Sequence, residues 1–161
     1  MVLQRVSEAA VAVDGREVAR IGAGYVLLVG VEEGDDVHAA HRLADKVAAV
    51  RLFPGSEGRG FDRCLTDAGG EVLVVSQFTL MGDVRRGNRP SWAAAARPEA
   101  AEPLVEAVAE RLAGHGIGVA TGVFGAMMEV SLVNDGPVTL VLDSASLTGP
   151  RNVSGRPRGA S

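Results

Sequence analysis

Hydrophobic positions along the chain change rhythm several times, and each change marks an element. Residues 2–13 alternate loosely and are rich in Val and Ala, as in a half-buried strand. Asp14-Gly15 follows, a dipeptide suited to a two-residue hairpin because both positions tolerate positive φ. Residues 17–21 supply the return strand. Gly22 and Gly24 punctuate, and Tyr25–Val31 is a continuous apolar run, the pattern of a buried strand. "EEGDD" then reads as a loop ending in a helix N-cap. From Val37 to about Val50, Val37, Ala40, Leu43, Ala44 and Val47 recur at helical spacing. Arg51–Phe53 reads as a short strand stopped by Pro54-Gly55, and 54–70 as a Gly-rich connection. Glu71–Val75 is another buried strand, followed by a polar loop at 82–91. A second helix is expected over 97–116, with Pro98 in its first turn and Gly114 and Gly116 at its end. "VATGVFG", "AMMEVSLVND" and "GPVTLVLDS" read as three closing strands.

The order mixes hairpins with helices, so it is no Rossmann repeat. It predicts a compact α/β domain over 1–143, with mixed or antiparallel β-layers and two helices packed outside. "GYVLLVGVEEGDD" and "GEVLVVSQFTLMGD" echo each other and suggest two equivalent central strands. From Ser144 onward Gly, Pro, Ser and Arg dominate without periodicity, so 144–161 is expected to be a disordered basic tail.

Composition narrows the chemistry. The chain has 161 residues, 47% apolar and only 4% aromatic, so Val, Leu, Ala and Ile must build the core. Net charge is −4, against a broad nucleic-acid surface. The charge is uneven: Arg151, Arg156 and Arg158 make the tail +3, leaving 13 basic and 20 acidic side chains before it. Arg85, Arg86 and Arg89 form a second local cluster. No apolar stretch approaches the roughly 18 residues of a membrane helix. With no signal-peptide layout at the N-terminus, a cytoplasmic protein without membrane contact is expected. Cys64 is the only cysteine; it has no obvious base beside it and reads as a spare thiol. His38 and His41 are spaced i, i+3 beside Asp35, Asp36 and Asp45, which reads as a solvated helix face. No H-E-x-x-H or C-x-x-C is present, so no metal or cofactor is expected.

Two uncharged motifs stand out. "SQFTL" at 76–80 ends a buried strand, a good position for a site, yet carries no charged group. Strand-end Ser and Thr also commonly satisfy loop backbone, and Phe78 reads equally as core. A Ser76 nucleophile would need a base, and G-x-S-x-G is absent. "NDGPVT" at 134–139 lies between two strands. It reads either as a turn or as backbone presented to a ligand, since Gly136 allows close approach and Pro137 fixes φ.

Taken together, "SQFTL" and "NDGPVT" resemble the D-aminoacyl-tRNA deacylases, a chiral-proofreading family. "QRV" at 4–6, "GAG" at 22–24, "LLVGVE", "RGNRPS" at 86–91 and "VSLVNDG" at 130–136 extend the similarity over about residues 1–142. "GRGFD" at 58–62 departs from the family's usual Lys-Met-Asn-like pattern. The resemblance implies a barrel-like ββα sandwich and a homodimer with active sites at the subunit interface. It implies hydrolysis of the ester between a D-amino acid and tRNA, and of glycyl-tRNA, glycine mischarged on tRNA-Ala included. Ser76, Gln77, Phe78 and Thr79 would line the ester. A cis Gly136–Pro137 pair would be the chiral gate, with Arg5, Met128, Asn134 and Asp135 supporting it. Arg5 would lock the gate carbonyls; read from its position alone it is a surface arginine on an edge strand. Phe78's ring would pack in the core or against the adenine. Arg85, Arg86 and Arg89 would meet tRNA phosphates. Three other readings stand beside this one: a non-catalytic RNA- or nucleotide-binding module, a deacylase with relaxed chirality, and a metal-dependent hydrolase.

Overall fold

The computed structural model describes residues 1–147 apart from Ser56, Arg59 and Arg86. Strands β1 (Val2–Val13) and β2 (Arg16–Ile21) form the expected hairpin. Asp14 and Gly15 take φ of 51° and 73° at its tip, the left-handed pair that matches strand twist. Strand β3 (Gly24–Val29) returns antiparallel to the first half of β1. Gly24 is required there, because a Cβ would lie 1.9 Å from the Glu71 carbonyl oxygen.

Helix α1 (Val37–Ala49) is capped by Asp36, whose Oδ1 accepts from the Ala39 N–H at 2.7 Å. It buries Ala40, Ala44 and Val47, whereas Val37 stays exposed. The 54–70 connection contains a short helix, α2 (Leu65–Ala68), so the α-helices among the described residues number three rather than two. Cys64 caps it: the Cys64 N–H donates to the Asp67 carboxylate at 3.3 Å. The strand expected at Arg51–Phe53 is reduced to a single bridge between Phe53 and Arg63.

Strand β4 (Glu71–Ser76) runs parallel to β3, and β5 (Gly118–Thr121) parallel to β4. The two echoing sequence segments are therefore neighbouring strands. Helix α3 (Pro98–Gly114) lies between β4 and β5 in sequence and packs on α1. The two strands expected over 126–144 are one continuous strand, β6 (Met128–Val141), which covers the other edge of β1. Ala145–Leu147 form a single 3-10 turn; the rest of the expected tail lies outside the described residues.

Alternation along β3 and β4 builds two cores. Tyr25, Leu27, Val72 and Val74 face the helices. Val26, Leu73 and Val75 face inward onto Val6, Val11 and Ile21 of the hairpin. Strands buried on both faces read as unbroken apolar runs, which is why their sequence shows no alternation. This double burial fixes the ends of β3 and β4, where the candidate site lies.

Candidate active site at the ends of strands β3 and β4

Beyond Ser76 the chain leaves β4 at Gln77 and enters a 3-10 turn, Phe78–Met81. The Gln77 N–H still donates to the Val29 carbonyl at 2.8 Å, tying the exit to β3. Gln77 Nε2 donates to the Thr79 hydroxyl. Phe78 opens the turn, and the first N–H groups of a helical turn lack partners within it. Among the described residues no acceptor is bonded to the Phe78 N–H.

These residues border a cavity of about 610 Å³. Ser76, Gln77, Phe78 and Met128 line it, whereas Thr79 stands beside it, bonded to Gln77. Among the described residues no Asp, Glu, His, Lys, Arg or Cys lines it. The chain has one Trp, one Tyr and four Phe, and the Trp and two of the Phe (Trp92, Phe78, Phe124) lie on this wall. Phe78 is not core: it is 60% exposed and meets Trp92 edge-on, with centroids 5.8 Å apart. Trp92 and Phe124 were not singled out in the sequence; the concentration of scarce aromatics was the available signal.

Asn134, Asp135, Gly136 and Pro137 form a second cluster with Arg5. Strand β1 pairs Gln4 with Thr139 but Val6 with Asn134, so residues 135–138 stand opposite Arg5 alone. The segment is thus a bulge within β6 rather than a turn between strands. Its Gly136–Pro137 peptide bond is cis. Arg5 is 8% exposed and sits on a strand paired along both edges, not on an edge strand. Arg5 Nε donates to the Asp135 carbonyl at 3.1 Å and lies 2.9 Å from its carboxylate. Its Nη1 donates to the Leu52 carbonyl. Asn134 Nδ2 donates to the Arg5 carbonyl at 2.9 Å and to that of Val138 at 3.3 Å. Gly136 and Pro137 are exposed and do not line the cavity of their own chain.

Two arginines of the third group are described. Arg85 is exposed and bonded through Nη2 to Asp83 at 2.7 Å, which holds the Asp83 carboxyl below its usual range. Arg89 is exposed, and Arg86 lies outside the described residues.

The doubly buried mixed sheet thus ends, among the described residues, in a cavity without charged side chains. The model of the family described as D-Tyr-tRNA(Tyr) deacylase matches residues 2–143. A D-aminoacyl-tRNA deacylase of Roseiflexus castenholzii is 59% identical over 94% of this chain and 96% of the relative. One from Thermus aquaticus is 51% identical over 93% and 98%. Among solved structures, a c-Myc DNA unwinding element binding protein superposes with a TM-score of 0.82 at 34% identity, covering 88% of this chain and 96% of that one. A probable eukaryotic D-amino acid tRNA deacylase shares the fold, with a TM-score of 0.72 at 15% identity over 86% and 95%. The chain belongs to the D-Tyr-tRNA(Tyr) deacylase family and is an enzyme of the deacylase class, a hydrolase.

Proposed function

We propose that the 610 Å³ cavity takes the aminoacylated terminal adenosine of tRNA, and that backbone groups perform its deacylation. Cleavage of D-aminoacyl-tRNA is the activity carried by the family and by relatives up to 59% identical. The observation that carries the mechanism is the Phe78 N–H, free at the opening of a 3-10 turn on a wall without charge.

An aminoacyl ester is already activated: water adds to its carbonyl carbon, the bond to the ribose oxygen breaks, and the adjacent ribose hydroxyl relays the water's proton to that leaving oxygen. The protein then has to orient the ester and stabilise the developing oxyanion. A backbone N–H does that without titrating. The linked side chains of Gln77 and Thr79 hold the ester and ribose, and the exposed rings of Phe78 and Trp92 offer an apolar face to the base.

Rejection of L-substrates falls to Gly136 and Pro137. An L-residue differs from its D-isomer only in where Cβ points. Mobile side chains yield to such a clash at about 1–3 kcal/mol, roughly 5–150-fold in rate. Backbone yields less, so a main-chain gate discriminates further. Glycine has no Cβ, and glycyl-tRNA, including glycine on tRNA-Ala, passes such a gate.

The gate residues point to a second copy of the chain. Gly136 and Pro137 are exposed and apart from their own cavity. The same strand exposes Val133 (51%) and Val141 (80%), an apolar edge suited to burial. A homodimer would seat each gate in the other subunit's cavity. Arg89 offers a phosphate contact at the tRNA, and the cytoplasm is the compartment of this substrate.

The test is a side-by-side deacylation assay in chelator with D-tyrosyl-, L-tyrosyl- and glycyl-tRNA. The D-ester and glycyl ester should be lost and the L-ester spared. Equal loss of both tyrosyl enantiomers would remove the gate. Binding without hydrolysis would remove the mechanism, and chelator sensitivity would point to a metal.

A further inference from the structure

We infer that Phe61 is a positioning residue, whose ring holds the Arg5 guanidinium against Asp135 and so fixes the 135–137 bulge. The inference rests on the gate reading of Gly136 and Pro137.

Two aromatic rings reach the Arg5 guanidinium. Phe53 lies 5.8 Å from its carbon and Phe61 6.0 Å, both within the range of cation–π attraction. They are not equivalent. Phe53 is buried and stacked on the buried Tyr25 with centroids 5.2 Å apart, so the core fixes it. Phe61 is 56% exposed. A large apolar side chain left in solvent has no packing reason to be ordered there. The backbone supplies one.

Residues 53–63 form a loop closed at its neck. The Asp62 and Arg63 N–H groups donate to the Phe53 carbonyl at 2.9 and 3.1 Å, and Phe53 N–H donates to the Arg63 carbonyl at 3.1 Å. Arg63 Nε donates to the Pro54 carbonyl at 2.8 Å. Inside the loop, Gly60 takes φ of 74°. The Asp62 carboxylate folds back so far that a Cβ on Gly55 would meet it at 2.6 Å. Phe61 is held between Gly60 and the clamped Asp62, next to Arg5.

Arg5 has a reason to need it. Its Nη1 is spent on the Leu52 carbonyl, on the same loop stem. Only Nε holds Asp135. Small rotations of the guanidinium plane would move that donor away from the bulge. A ring face attracts the planar cation and limits those rotations.

The test compares Phe61→Leu, which keeps an apolar side chain but removes the ring, with Phe61→Tyr, which keeps it. The readouts are the D-over-L ratio of kcat/KM on tyrosyl-tRNA, the Arg5 Nε–H exchange rate by NMR, and the melting temperature. Phe61→Leu should lower the ratio by about 2–30-fold and speed Nε–H exchange, and Phe61→Tyr should restore both at similar melting temperature. Unchanged exchange in Phe61→Leu, or failure of Phe61→Tyr to rescue, overturns the inference. Faster exchange with an unchanged ratio overturns its link to the bulge. Gly136→Ala separates the two levels, because it puts a Cβ on the gate itself, 2.9 Å from the Asn134 Oδ1 whose amide bonds the Arg5 and Val138 carbonyls. If that variant keeps the wild-type ratio, the gate reading fails, and Nε–H exchange alone decides the role of Phe61.

Discussion

The segments at 76–79 and 134–137 both present backbone, and they are held in opposite ways. The first leaves a strand whose neighbours Leu73, Val74 and Val75 are buried in two cores, so packing places it. It needs no charge. The second is exposed on strand β6 and has almost no packing of its own. It is placed by polar bonds to one buried arginine. Rigid presentation of main chain can thus come from burial on both sides or from a charge held behind the backbone. The two should fail differently.

The largest expected effect falls on the packed segment. Phe78→Pro removes the N–H that is assigned to the oxyanion, whereas Phe78→Ala keeps it. The proline variant should lose about 10²–10³ in kcat, and the alanine variant should lose mainly in KM. Single-turnover kinetics on D-tyrosyl-tRNA would check this, and equal kcat in the two variants would break the assignment.

Next comes the charge-held bulge. Arg5→Met strips the Leu52 and Asp135 carbonyls of a charged donor, and bonds of that kind contribute about 1.5–3 kcal/mol each. Urea unfolding should show a loss of about 3 kcal/mol. The L-ester should now be cleaved as well. A stable variant with intact selectivity would mean that the bulge holds itself.

Ser76→Ala sharpens the comparison from the other side. Among the described residues no titratable side chain lines the cavity, so Ser76 meets no base there. The variant should lose less than about tenfold in kcat/KM, where loss of a true nucleophile costs about 10⁴–10⁶. For the same reason, kcat against pH should show no protein inflection between about pH 6 and 8.

The smallest effect lies outside both regions. Asp45 on α1 accepts from Arg111 Nε at 2.7 Å and from Arg111 Nη2 at 3.1 Å, and meets His115 Nε2 at 2.7 Å. Arg111 and then His115 hold its carboxyl down to about 2, from 3.8. A depressed carboxylate contributes stability above its unfolded value and loses it as pH falls through the folded one. Asp45→Asn should therefore cost about 0.2–1 kcal/mol near neutral pH, as exposed pairs do. The wild type should lose the same amount between about pH 4 and 2. Acid titration of Tm in both proteins would check it, with deacylation unchanged in Asp45→Asn at neutral pH.

Much of this was legible along the chain. Helical spacing of Ala40, Ala44 and Val47 gave α1, and Asp14-Gly15 gave the hairpin. The paired motifs gave the family. Of the two readings of Phe78, the core one fails, because an aromatic at a strand end looks like core when its exposure is unknown. Of the two readings of "NDGPVT", the turn fails, although a Gly-Pro pair between strands is usually one. Here β1 pairs on both sides of it, and pairing is a property of the partner strand. Arg5 could not be placed from its own segment, since β3 and β6 bury it from 20 to 130 residues away in sequence.

The amino-acid order by itself determined the local elements, the two doubly buried strands and the absence of charge from the "SQFTL" segment. Those follow from backbone preferences and from which side chains leave water, and both are read residue by residue. Only the tertiary structure decided that Trp92 and Phe124 share a wall with Phe78. It alone showed that "NDGPVT" is a bulge held by Arg5 rather than a turn. These depend on segments distant in sequence meeting in space, where distance and hydrogen-bond geometry, rather than residue type, decide which groups interact.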